Sequence, residues 1–178
     1  MTGEAGAREG NGEATTPVAR FEAAARDANV SVTRATTADL TTILGDVIDP
    51  PAVGTALPFE GTLPGFVETD PTPSEIEAAQ TGVTAAAFGI AEHGSVAIAS
   101  SEAGEEPTSL YPECHVAVVA ASDLVPGVGE AVEKLAALAA EGRDAVVATG
   151  PSATADMGEL VLGAHGPREV HVVIVEDI

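Results

Sequence analysis

Residues 115–121 read His-Val-Ala-Val-Val-Ala-Ala, a run in which only the first side chain suits open water. Side chains on a strand alternate between its two faces. A run that is apolar at both parities therefore needs cover on both sides, which helix-flanked parallel sheets provide. Ala145 to Thr149 and Val170 to Val175 have the same character. Between the first two runs, Gly129 to Ala140 spaces Val132, Leu135 and Leu138 at helical intervals, predicting an amphipathic helix with those three facing in. Buried strands alternating with helices imply an α/β fold with a mostly parallel sheet.

The remainder of the chain is organised around these runs. Residues 1–16 contain no Val, Ile, Leu or Phe and read as a disordered acidic tail, leaving 17–178 as a single domain. Pro17 to Ala28 predicts a helix with Phe21, Ala24 and Ala25 on one face, followed by a short strand over Val30 to Thr33. Thr37 to Asp39 opens a second helix, which Pro50 and Pro51 stop. Ser74 and Glu77 have the spacing of a capping box. Val83 to Ala91 and Ser95 to Ser100 suggest a hairpin across His93 and Gly94. Glu102 to Glu106 reads as an acidic loop and Asp123 to Gly127 as a turn.

Charge removes several classes of function. Twenty-eight acids against seven bases give a net charge of −21, and Lys134 is the sole lysine. The acids are spread along the whole length, which argues for a surface adapted to high salt rather than one acidic patch. So few bases cannot build the stripe that nucleic acid requires, and an anionic membrane surface is disfavoured for the same reason. No apolar run approaches the length of a membrane span. The N-terminus has neither the basic nor the apolar region of a signal peptide, so a cytoplasmic location is expected. Cys114 is the only cysteine, which excludes a disulfide framework and any self-contained iron–sulfur cluster. The four histidines have no metal-ligand spacing, so neither a metal nor another cofactor is expected. Cys114 and His115 are strand neighbours and point to opposite faces, which excludes a dyad by adjacency.

Three turns carry the residues suited to chemistry. Gly150-Pro-Ser152-Ala-Thr154-Ala-Asp156 follows an apolar strand. Its N–H groups and the hydroxyls of Ser152 and Thr154 form either an anion-binding nest or a tight turn in which the hydroxyls act as caps. Ligands of parallel sheets bind beyond the carboxyl ends of the strands, and this turn follows such an end. His165-Gly166-Pro167-Arg168 adds an imidazole and a guanidinium, read either as a small-carboxylate or other anion anchor or as a surface turn. Glu92-His93-Gly94-Ser95 ends an apolar run in a carboxylate, read either as a partly buried nucleophile or base or as a solvated corner. The candidate ligand or partner site is thus Glu92, Gly94, Ser95, Gly150, Ser152, Thr154, Asp156, His165, Gly166 and Arg168.

Gly82 to Ser95, Leu110 to Val119, Gly150 to Asp156 and Leu160 to Val172 together resemble the LUD domain, and within it the lactate-utilisation protein C family (LutC/YkgG). The position between Ser152 and Thr154, often basic in that family, is Ala153. The resemblance implies a three-layer α/β/α fold like that of the ribose-phosphate isomerase and CoA-transferase group. It also implies an accessory role beside iron–sulfur partner subunits in oxidising L-lactate, with no redox centre in this chain. A stand-alone small-molecule binder or enzyme of the isomerase/CoA-transferase type is the alternative, with Glu92-His93-Gly94 in place of that group's Glu-x-Gly turn.

Overall fold

The three apolar runs all become strands, but of two different sheets. The computed structural model describes residues 16–60, 62–156 and 159–178. Of the expected tail, residues 1–15 lie outside the described residues. Thr16 is the N-cap of the first helix, its Oγ1 accepting from the Ala19 N–H at 3.2 Å.

Six strands lie parallel in one sheet: β1 (Ser31–Ala35), β2 (Ala52–Gly54), β3 (Val67–Glu68), β4 (Thr81–Ala85), β7 (Cys114–Ala120) and β12 (Glu169–Val175). Their order is β1-β12-β7-β4-β2-β3, which confirms the α/β fold with a mostly parallel sheet. The second sheet has the order β8-β5-β6-β9, made of β5 (Phe88–Ile90), β6 (Ser95–Ala99), β8 (Leu124–Val125) and β9 (Ala145–Ala148). The expected hairpin across His93 and Gly94 is the β5–β6 pair. A separate hairpin joins β10 (Ala153–Asp156) to β11 (Glu159–Leu162). The helices are α1 (Pro17–Asp27), α2 (Leu40–Val47), α3 (Pro73–Ala78), α4 (Glu105–Leu110) and α5 (Val128–Ala140).

Alternation along β7 and β12 explains their unbroken apolar sequence. Val116, Val118, Val173 and Val175 pack with Leu40 and Leu44 of α2. Ala117, Val119, Val172 and Ile174 pack on the other face with Phe21 and Ala25 of α1 and with Val96 and Ile98 of the second sheet. The far side of the second sheet is closed by α5 through Ala131, Leu135 and Leu138. Phe21, Leu40 and Leu44 are wholly buried, each worth about 1.5–3 kcal/mol of apolar transfer.

Several local expectations shift. On α5 Leu135 and Leu138 face in as predicted, but Ala131 takes the inward place expected of Val132, which stands 55% exposed. Part of the acidic loop becomes α4, which opens on Glu105 and Glu106, where carboxylates suit the positive end of a helix. Within the expected turn at 123–127, Leu124 and Val125 pair with β5. The cap of α3 lies two residues earlier than predicted: Glu75, not Glu77, accepts from the N–H and hydroxyl of Thr72 at 2.8 and 2.7 Å.

The largest correction concerns Ala145 to Thr149. This strand is not in the parallel sheet; β9 pairs antiparallel with β6 at the edge of the second sheet, and Val147 is exposed. Its carboxyl end delivers Gly150 to the opposite edge of the parallel sheet. Ser152 N–H donates to Pro167 C=O, and Arg168 N–H donates to Glu113 C=O, just before β12 and β7 begin. The predicted turn therefore sits at the amino edge of the main sheet, where the strand-end rule does not place ligands.

Candidate functional site

At that amino edge, the base of the β10–β11 hairpin is tied to the sheet by backbone bonds. Ser152 is the knot. Its N–H reaches Pro167 C=O at 2.8 Å, its C=O accepts from Gly163 N–H at 2.9 Å, and its Oγ accepts from His165 N–H at 3.3 Å. Gly150, at φ +73°, brings the chain against the Ala28 carbonyl, where a Cβ has no room. The stem of Arg168 lies over Gly163, and its Nε meets Glu113 Oε2 at 3.1 Å. Both partners of that pair are more than half exposed, so the pair is worth at most about 1 kcal/mol.

Two clefts flank this base, one on each face of the sheet. The first, about 320 Å³, lies on the second-sheet side and gathers Gly150, Ser152, His165 and Gly166 with Ser109 and His115. The second, about 550 Å³, lies on the α2 side and is lined by Asp49, Cys114, Arg168 and His171 among others. Cys114 and His115 thus open to different clefts, as strand alternation requires. Burial, with Glu169 and Asp49 adding to it, pushes the Cys114 thiol up to about 11, so it is not a ready nucleophile. His171 hydrogen-bonds Thr33 Oγ1 at 2.9 Å, and burial lowers its pKa.

The other predicted residues are distributed as follows. Ser95 Oγ lies 2.7 Å from Thr149 Oγ1, so Ser95 is joined to the start of the 150 turn. Gly94, at φ +62°, seats the β5–β6 turn directly on the backbone of Ala24 and Ala25 in α1. Glu92 is exposed rather than partly buried. A Cβ at Gly127 would come within 2.5 Å of its Oε2, so the carboxylate lies at the start of α5, where the helix dipole favours it. Thr154 pairs with Val161 within the hairpin, and Asp156 pairs with Glu159 at its outer end. Asp156 is four residues from Ser152, roughly 13 Å along an extended strand, so it stands apart from the base.

His115 opens the apolar run of β7 and lines the first cleft. It is 1% exposed, and its Nε2 is 2.9 Å from Thr84 Oγ1. Burial pushes its pKa down to about 4 from 6.5. The fold therefore holds the neutral imidazole. The resulting stability is complete above about pH 6.5 and is lost as pH falls through 4. Thermal unfolding of His115→Gln between pH 7 and 4 should show a flatter acid limb than the parent. The parent's extra loss should be on the order of 3 kcal/mol. Parallel curves would mean that His115 is not held neutral.

A six-stranded parallel sheet, a second sheet over one face and a stapled hairpin at the amino edge define a compound-sheet α/β domain with paired clefts. The LUD domain family model matches residues 67–175, and the chain belongs to that family. It is similar to "Lactate utilization protein C" of Deinococcus radiodurans, 37% identical over 105 residues covering 57% of this chain and 49% of the relative. The corresponding protein of Halalkalibacterium halodurans is 34% identical over 106 residues, covering 57% and 46%. The uncharacterized protein YkgG of Escherichia coli is 34% identical over 109 residues, covering 58% and 47%. The chain spans about half the length of these curated relatives. A crystal structure of a DUF162 family protein from Deinococcus radiodurans superposes with a TM-score of 0.70 at 24% identity, covering 89% of this chain and 96% of that one, and so shares the fold.

Proposed function

We propose that the chain is a cytoplasmic accessory subunit in L-lactate utilisation, working beside iron–sulfur subunits that carry the redox centres. Membership of the LUD family carries this reading, together with relatives named lactate utilization protein C. The thiol count agrees with it. One cysteine, half-buried and held as a thiol, cannot supply the several thiolates of a cluster. The β10–β11 hairpin is the surface best suited to a partner. It pairs only with itself among the described residues, and it leaves Val161 and Leu162 41% and 46% exposed.

Tagged protein drawn from lactate-grown cells in molar KCl should bring down cysteine-rich polypeptides bearing iron and acid-labile sulfide. Val161→Asp should weaken that capture by at least about tenfold while leaving the fold intact, since the position is exposed. Capture of no iron–sulfur protein would overturn the assignment.

A further inference from the structure

The opposite, carboxyl edge of the parallel sheet contains a site that none of the sequence motifs touches. Between β2 and β4 the connections part. The chain leaving β2 goes outward to the edge strand β3, whereas the chain leaving β4 goes inward, by way of the second sheet, to β7. Adjacent parallel strands whose connections diverge leave a crevice at their carboxyl ends, and that is where open α/β sheets bind ligands. A cavity of about 240 Å³ occupies this place. Its walls are Ala56 and Pro58 after β2, Ala85 to Ala87 at the end of β4, and Ala99 at the end of β6.

Two charged side chains reach this small apolar space, Arg143 and Glu105. Arg143 Nε donates to Ser100 C=O at 3.1 Å, which fixes the plane of the guanidinium. Among the described residues Arg34, Lys134 and Arg168 form ion pairs and Arg20, Arg26 and Arg143 form none; of these three only Arg143 is half-buried, the other two being exposed. In a chain of net charge −21, a half-buried arginine with no carboxylate partner is unexpected unless its terminal amino groups serve another anion. Glu105 is held in place by Ser101 Oγ, 2.8 Å from each of its oxygens, and keeps acceptor capacity. Thr55, next to Ala56 in the chain, keeps a buried hydroxyl that no described group satisfies.

We infer that this cavity binds a small hydroxy-monocarboxylate. The ligand's carboxylate takes the two terminal amino groups of Arg143, its hydroxyl donates to Glu105, and its short carbon chain lies against the alanines. The nearby Glu105 charge selects a monoanion over a dianion such as phosphate. The choice of a hydroxy-monocarboxylate rests on the reading in L-lactate utilisation, whereas binding itself is read on the isolated chain and does not depend on the partner assembly.

Ligand-observed NMR in about 2 M KCl, where self-repulsion is screened, tests it with L-lactate, propionate and inorganic phosphate as probes. L-lactate should bind saturably. Propionate, which has no hydroxyl, should bind several-fold more weakly, and phosphate weakest of all. Arg143→Met should weaken L-lactate binding by at least about tenfold. Ala56→Leu, at an exposed position, should block the cavity with the charge intact and the fold unaffected. Arg168→Met, at the other edge, should bind like the parent. No saturable binding of L-lactate, phosphate binding more tightly than L-lactate, or full binding by both Arg143→Met and Ala56→Leu would each overturn the inference. None of these results would bear on capture of iron–sulfur subunits.

Discussion

Gly94→Ala is expected to destabilise the protein by about 3 kcal/mol or more, a large loss for one methyl group. Two costs add. A non-glycine residue at φ +62° costs roughly 1 kcal/mol in the left-handed region. The larger cost is steric: the new Cβ would fall inside contact distance of the Ala24 and Ala25 backbone. The helix cannot yield cheaply, because Phe21 and Ala25 are wholly buried between the parallel sheet and the second sheet. Retreat of α1 would open that core. Gly129 is the control. It lies within α5 with nothing near its missing Cβ, so Gly129→Ala should stabilise by about 0.5–1 kcal/mol. Urea unfolding in molar KCl measures both. An unchanged midpoint for Gly94→Ala would mean that the β5–β6 turn is not seated on α1.

The same residue shows what the sequence could and could not convey. Gly94 belongs to a motif that reads as chemical, yet its conformation and neighbours explain it as a packing position. Glu92 likewise answers to the start of α5, and Gly150 to the end of α1. Each depends on a long-range contact, which no local pattern encodes. The apolar strands β7 and β12 were legible because burial on both faces leaves an unbroken hydrophobic run. The run at β9 looked the same but lies half-buried at a sheet edge, since small β-branched residues suit either place. That one ambiguity moved the predicted turn from the carboxyl edge to the amino edge. The two-residue strands β3 and β8 carry too few positions to show any period. His115 belongs to a strong strand pattern, which by itself gives no sign of a cleft. Only the assembled fold shows the cleft on its face. Arg143 gave no signal at all, because its neighbours come from β2, β4 and β6.

Lowering KCl from molar to about 0.1 M should depress the melting temperature by on the order of 10 °C or more, because the screening length grows from about 3 Å to about 10 Å. The ion pairs cannot offset the released repulsion. The described residues contain four, each with at least one well-exposed partner and worth at most about 1 kcal/mol. With a typical total stability of about 5–15 kcal/mol, the loss of several from self-repulsion is a large fraction. The effect should belong to the total charge rather than to any one group. Replacing Glu60, Glu77, Glu102, Glu133 and Glu141, all exposed, by glutamine lowers the net charge from −21 to −16. The variant should lose visibly less on dilution of salt while matching the parent in molar KCl, where the charges are already screened. Calorimetric scans across a KCl series separate the two. Equal salt slopes for parent and variant would show that the acids do not set the salt dependence.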